Sequence, residues 1–292
     1  MFHSIENEFL KVTVSEKGAE LQSILASDGT EFLWQGDPTF WRSRATNLFP
    51  AVGRLKDGTY YMDGKAYELG IHGFARHNLF TVAWRKSDSI ALELRDNEEL
   101  YAQYPRHHIF RLVYTLEKNT LHISYQVENL DEKELPFGLG GHPGFRVPMV
   151  EGLDFSDYRL RFREKCSPKV LPMTLTGFPS GEELPYPLVD DCMIPLDHSL
   201  FTVDAIVLKD MCPTVTIEAP GSRHKVTVSC PDFPYMGFWH KPNSQAPFVC
   251  VEPWATMPPV EGQTRVYDES DELIHLAPGG HYENNWSVCC EF

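Results

Sequence analysis

Three segments of this chain hold a titratable side chain in a confined backbone setting: Gly70-Ile71-His72-Gly73-Phe74, Gly140-Gly141-His142-Pro143-Gly144-Phe145 and Phe248-Val249-Cys250-Val251-Glu252-Pro253-Trp254. Each reads as the end of a β-strand or the turn beside it. Two imidazoles and a carboxylate are what a protein needs to donate one proton and remove another near neutral pH. In the third segment, strand alternation sets Phe248, Cys250 and Glu252 on one face and Val249 and Val251 on the other. A glutamate among apolar and aromatic neighbours resists ionisation, which moves it towards the range of a general base. Around His142, glycines permit close backbone approach and Pro143 fixes the chain just beyond the imidazole. Such a segment suits a side chain held over a cleft and is a poor place to pack a core.

Other side chains fit the same chemistry. Arg54 follows the apolar stretch Asn47-Leu48-Phe49-Pro50-Ala51-Val52-Gly53, so it either forms a salt bridge or binds an oxygen-rich ligand. Asp204 opens the apolar run Ala205-Ile206-Val207-Leu208, with Asp197-His198 just upstream as an alternative carboxylate. Trp239 and Trp254 offer aromatic faces of the kind that cover the C–H face of a sugar. Taken singly, each segment also has an ordinary reading: a strand-end glutamate in solvent, turn histidines bonded locally, a turn aspartate, core aromatics.

The elements that must position these residues are strands. Leu10–Val14, Ile90–Leu94, Leu121–Val127, Val215–Ile217 and Lys225–Val228 alternate apolar and polar residues or form short β-branched runs. Turn formers such as Asp28-Gly29, Asp57-Gly58 and Pro220-Gly221 separate them, and Tyr60–Tyr67 reads as a hairpin closed on Asp63-Gly64. The 22 prolines argue against long helices; Asn97–Tyr104 is one window that gives two turns before Pro105. Strand–helix alternation is absent, so a parallel sheet is not expected. The proline-rich stretch 168–195 reads as a long surface excursion over one domain. The expected architecture is all-β: a single large antiparallel β-sandwich spanning residues 1–292.

Bulk properties narrow the partners. A net charge of −15 argues against nucleic acid or an anionic membrane surface, and serves solubility. No apolar run approaches the ~18 residues of a membrane span. The N-terminus has neither a basic start nor an apolar stretch, so no signal peptide is expected. Seven scattered cysteines with no Cys-x-x-Cys pair indicate neither a zinc site nor a disulfide framework, which fits a reducing cytoplasm.

The succession of Gly53-Arg54, His72-Gly73, Gly141-His142-Pro143, an aspartate before an apolar strand, and an apolar strand ending in Glu252-Pro253 resembles the aldose 1-epimerase, or galactose mutarotase-like, family. The resemblance runs over nearly the whole chain. Its His-Gly-Phe-Ala-Arg and His-Pro-Gly-Phe segments look more like the divergent bacterial members. It implies a large β-sandwich with a small-molecule sugar bound in a cleft across one sheet, and anomer interconversion without a cofactor. It also implies Glu252 as general base and protonated His142 as general acid, with Arg54, His72 and Asp204 positioning the sugar.

Three alternatives remain open at this point. His72-Gly73-Phe74-Ala75-Arg76 is also similar to the hexose-6-phosphate 1-epimerase branch, in which case Arg54, Arg76 or Lys241 would take the phosphate. A carbohydrate-binding protein without catalysis would use the same fold. Two histidines and a glutamate also resemble a metal-binding triad, but their wide separation in sequence and the neighbouring arginine speak against it, and no metal is expected.

Overall fold

The alternating strands and the turns between them build two large antiparallel sheets. The computed structural model describes residues 1–292. A nine-stranded sheet runs in the order Met193–Pro195, Arg159–Phe162, Thr214–Glu218, Lys225–Ser229, His281–Glu291, Thr120–Asn129, His108–Glu117, Ser89–Arg95 and Thr81–Arg85. A seven-stranded sheet runs in the order Leu184–Pro185, Lys169–Val170, Ile206–Lys209, Tyr235–Trp239, Phe248–Trp254, Gly140–Arg146 and Ala45–Leu48. One face of each packs against the other in a core of 62 buried residues. Leu112, Tyr114, Ile123 and Tyr125 come from the first sheet, and Phe145, Phe238, Val249 and Val251 from the second. The Tyr125 hydroxyl donates across this interface to Asn47 Oδ1 at 3.0 Å. The result is the all-β sandwich expected from the strand pattern.

Local expectations hold at several places. Thr59–Met62 and Lys65–Glu68 form the hairpin, closed on Asp63 (φ 51°) and Gly64 (φ 70°). The short helix spans Glu98–Gln103, with the Asn97 side chain accepting from Leu100 N–H as its N-cap. Pairing between the strands is antiparallel except where Arg265–Val266 adds to the hairpin strand Thr59–Met62 as a two-residue parallel partner, and an isolated parallel bridge joins Phe49 to Gly73; the absence of strand–helix alternation foreshadowed neither.

Two expectations about the chemical segments are corrected. His142 and Glu252 lie inside strands, Gly140–Arg146 and Phe248–Trp254, and only His72 sits in a turn. The glycine-rich segment from Gly138 to Phe145 is buried throughout rather than poor at packing. The glycines are themselves the reason: a Cβ on Gly140 would come within 2.9 Å of Trp254, and one on Gly141 within 2.7 Å of the Tyr125 hydroxyl. Large neighbours occupy the space a side chain would take.

Candidate active site

The outer face of the seven-stranded sheet, turned away from the main core, is the floor of a cleft. Alternation in Phe248–Trp254 sends Val249 and Val251 into the core and Phe248, Cys250 and Glu252 to the outer face, as the sequence pattern requires. On the next strand, Gly140 pairs with Trp254 and Gly144 with Cys250, a register that sets His142 opposite Glu252. Directly paired residues share a face. His142 Nε2 accordingly lies 3.4 Å from Glu252 Oε2. On the other side of Glu252 its partner is Gly237, whose missing side chain leaves room beside the glutamate; a Cβ there would sit 3.3 Å from Glu252 Cβ. Trp254 Nε1–H donates to Glu252 Oε2 at 3.2 Å and so aims the carboxyl.

Loops raise the walls. Trp41 stacks on the His142 ring, with centroids 4.8 Å apart at 27°, and Trp239 meets the same ring edge-on at 5.4 Å. His72 stands perpendicular to His142 at 5.5 Å. Its backbone has φ 65°, a left-handed conformation held by a two-way exchange with Gly53: His72 N–H donates to Gly53 O at 2.8 Å, and Gly53 N–H donates to His72 Nδ1 at 3.1 Å. A neutral ring that accepts at Nδ1 carries its proton on Nε2. His72 is therefore set as a donor.

Opposite stand Asp204, which lines the cleft, and Arg54, which is exposed at its rim and makes no ion pair within the protein. Of the two readings left open for Arg54, a salt bridge is thus absent. Asp197 is exposed, caps the short helical turn His198–Phe201 and does not line the cleft, so Asp204 is the aspartate at this site. The stretch 168–195 does cross the surface, and it brings a tight turn to the cleft: Gly177 N–H donates to Thr174 O, and Thr174 N–H to Phe178 O. Gly177, at φ 79°, lies against both Arg54 and Asp204. All six residues singled out from the sequence, Glu252, His142, Arg54, His72, Asp204 and Trp239, line one cleft of about 250 Å³. Trp41 was not legible, because it arrives on a loop with no chemical signature of its own. Arg76 also lines the cleft, and it makes no ion pair, whereas Lys241 lies outside and donates to Thr39 O.

Burial sets the charges. Glu252 is 1% exposed, and burial first, then the nearby Asp204 carboxylate, hold its carboxyl well above the usual carboxylate range against the opposing Trp254 hydrogen bond. Burial, reinforced by the Arg76 charge, lowers His142 to about 3. His72 is pushed well down by burial and by His142, Arg76 and Arg54. Asp204 is raised by burial, while Ala205 N–H, Arg54 and Trp239 pull the other way. Burial thus favours the neutral form of both groups, a protonated Glu252 beside a neutral His142. Two opposite charges are costly to form in a buried site, so burial works against the charge-separated form, a protonated histidine beside a glutamate anion. One proton still belongs to the pair. Its transfer across 3.4 Å converts one form into the other.

The wide antiparallel sandwich matches the galactose mutarotase-like class, and here one sheet face carries a buried His–Glu pair walled by aromatic rings. Comparison with known proteins agrees: the family model for aldose 1-epimerase matches residues 1–265. The chain is 32% identical over 284 residues to the chromosomal LacX protein of Lactococcus lactis, covering 94% of each chain. A galactose mutarotase related enzyme from Lactobacillus acidophilus superposes with a TM-score of 0.92 at 32% identity, over 99% of this chain and 97% of that one. A galactose mutarotase-like protein from Lactobacillus casei gives 0.93 at 29% identity, over 99% and 100%. The chain belongs to the aldose 1-epimerase family.

Proposed function

We propose that this chain interconverts the α and β anomers of a free hexose by acid–base ring opening, with residues 1–292 acting as one unit in a reducing cytoplasm. The observation that carries the reading is the buried His142–Glu252 pair, 3.4 Å apart on the cleft floor and walled by Trp41 and Trp239. Ring opening requires loss of a proton from the C1 hydroxyl and gain of one at the ring oxygen. Free in water, either step alone passes through a costly alkoxide or oxonium. In the charge-separated form of the pair, Glu252 takes the C1 proton as His142 gives one to the ring oxygen. The C1–O5 bond breaks and the aldehyde forms. The pair is left neutral, which is the form burial favours. Rotation about C1–C2 turns the other carbonyl face to the ring hydroxyl, and reclosure returns both protons. His72 Nε2–H, Arg54 and Asp204 hold the sugar hydroxyls so that the reacting oxygens face their partners. No cofactor enters this scheme. The name of the Lactobacillus acidophilus relative, a galactose mutarotase related enzyme, supports it.

Polarimetry on freshly dissolved α-D-glucose and α-D-galactose tests the reading, with wild type compared against Glu252→Gln and His142→Asn. Each variant is expected to lose ~10²- to 10⁴-fold in turnover while keeping its far-UV circular dichroism. Near-normal turnover in either would remove the assigned role. A wild-type protein that accelerates neither sugar, nor a phosphorylated hexose, would point to a binding protein.

A second reading has its own observation. Arg76 joins Arg54 in the cleft, and neither is paired with a carboxylate of the protein. Two uncommitted guanidinium groups in a small cleft suit an anionic substituent, and a phosphate is the one they match geometrically. A hexose phosphate is therefore the alternative substrate, and exchange NMR on glucose 6-phosphate is its direct assay.

A further inference from the structure

We propose that His142, Cys250 and Glu252 form a binding site for one borderline divalent cation, Zn²⁺ by the chemistry of its donors, at the floor of the cleft. Each of the three offers one ligating atom within 4.8 Å of the other two, and all three residues are buried. Their meeting is a product of sheet geometry. Cys250 and Glu252 are two apart on one strand and so share a face, and His142 is opposite Glu252 on the neighbouring strand. The His142 Nε2 to Glu252 Oε2 separation of 3.4 Å is already the edge of a zinc tetrahedron, since two bonds of about 2.0–2.1 Å at the tetrahedral angle span ~3.4 Å. The Cys250 sulfur lies within 4.8 Å of the other two donor atoms, and binding draws it closer.

The donor set decides the class of ion. One imidazole nitrogen, one thiolate and one carboxylate suit zinc or its borderline neighbours, whereas Mg²⁺ and Ca²⁺ require oxygen throughout. Three protein ligands leave a fourth position that water or a hydroxyl can complete, and two of the three, His142 and Glu252, line the cleft. Trp254 Nε1–H, already bonded to Glu252, supplies an outer hydrogen bond that orients the carboxylate. Binding forms a Zn–S, a Zn–O and a Zn–N bond and releases the Cys250 and Glu252 protons to solvent, with no change of oxidation state. The bound ion occupies the lone pairs that proton transfer uses. Metal and proton-transfer states of the pair exclude each other, so Zn²⁺ acts as a reversible inhibitor of whatever the pair catalyses. Ion binding is independent of sugar turnover, and its failure leaves the proposed function untouched.

Cobalt(II) is the probe, because thiolate ligation to it gives a charge-transfer band that no oxygen or nitrogen ligand produces. One equivalent added to the full chain is expected to give that band together with the intense visible bands of a tetrahedral ion, and equimolar Zn²⁺ to remove both. Cys250→Ser abolishes the charge-transfer band. His142→Asn weakens Zn²⁺ binding at least tenfold. A variant with the four half-buried thiols Cys166, Cys192, Cys212 and Cys289 all replaced by serine keeps the band. Absence of the band in wild type overturns the proposal, as does its survival in Cys250→Ser or its loss in the fourfold variant. Should Cys250→Ser fail to fold, zinc X-ray absorption on the wild-type protein decides: one sulfur at about 2.3 Å with nitrogen and oxygen neighbours supports the site. No sulfur, or two or more, overturns it.

Discussion

His142 and Glu252 face each other across adjacent antiparallel strands, Nε2 3.4 Å from Oε2, although 110 positions separate them in the chain. Neither residue gains from this placement as far as folding is concerned. Burial raises the glutamate and lowers the histidine, so each is biased towards its neutral form. Holding the pair in this buried setting costs stability.

That cost has a pH signature of known sign. The unfolded chain ionises Glu252 near its ordinary 4.5, while the folded protein keeps the proton to well above that value. As pH rises through 4.5 the unfolded state releases a proton the folded state retains, so stability falls with rising pH until the folded carboxyl also ionises. Glu252→Gln removes this slope. Urea midpoints of the variant and wild type should coincide near pH 4 apart from a constant offset, and the variant should gain on wild type as pH rises above about 5 until the folded carboxyl ionises. For His142 the unfolded ring takes up a proton near 6.5 and the folded ring only near 3, so its contribution is lost as pH falls across that window. His142→Asn should flatten the acid side of the same curve. Parallel curves for either variant and wild type would show that the residue is not held in its neutral form.

His72 performs two separable tasks, and two amides divide them. Its Nδ1 accepts from Gly53 N–H, and its Nε2–H is free to donate into the cleft. An asparagine oxygen can stand where Nδ1 is, and asparagine tolerates the φ of 65° better than most residues. A glutamine nitrogen reaches instead to where Nε2 is, and leaves the buried Gly53 N–H without a partner. His72→Asn should keep the melting temperature and raise KM for the sugar about tenfold, the value of one lost hydrogen bond of ~1.4 kcal/mol. His72→Gln should do the reverse, costing ~1–3 kcal/mol of stability with a smaller effect on KM. Melting and kinetics measured on both variants check it; equal loss in both readouts for both variants would undo the division.

The sequence made local geometry readable and left distant geometry hidden. Alternation in Phe248–Glu252 told which side chains share a face, and the Asp63-Gly64 turn and the short helical window ending before Pro105 were visible because each depends on a few adjacent residues. The six site residues were legible as types in confined settings. Their distances were not, because the His142–Glu252 pairing depends on which strands become neighbours and in what register. Trp41 was invisible for a related reason. Nothing local distinguishes an indole that will stack on the His142 ring from one that will fill a core. The burial of Gly138–Phe145 was misjudged because glycine shows no side chain to bury, while its neighbours pack onto the bare backbone.

Gly177 supplies a test of how closely the excursion over the cleft is fitted. At φ 79° it occupies a conformation that costs an L-residue ~1–2 kcal/mol, and a Cβ there would come 2.9 Å from Arg54 Nε and 3.1 Å from Asp204 Oδ2. Gly177→Ala should therefore displace both groups that face the His142–Glu252 pair across the cleft. The expected outcome is a KM raised about tenfold, with a modest fall in melting temperature. Gly152→Ala is the control, since Gly152 has a similar φ of 87° with nothing within 4 Å of the added methyl. It should lower the melting temperature alone. If Gly152→Ala and Gly177→Ala behaved alike in the kinetic assay, the turn at Thr174–Phe178 would have no part in holding the sugar.

Arg76 discriminates between the two substrate readings. It reaches the cleft from the short helical turn Ala75–His77, just after His72, and its charge is one of the causes that keep His142 and His72 neutral. Replacing it therefore acts on any substrate to some degree. With a neutral hexose the effect of Arg76→Gln is electrostatic and indirect, and kcat/KM should change by no more than about tenfold, or ~1.4 kcal/mol. With a hexose phosphate the variant also loses a guanidinium–phosphate contact, a charge-assisted bond of ~1.5–3 kcal/mol, so kcat/KM should fall by a further ~10- to 100-fold, mostly through KM. Exchange NMR on glucose and glucose 6-phosphate, run on wild type and Arg76→Gln, measures both arms. A loss concentrated on the phosphorylated sugar assigns Arg76 to its phosphate. An equal loss on the two sugars confines Arg76 to tuning the histidines and leaves the neutral hexose as the substrate.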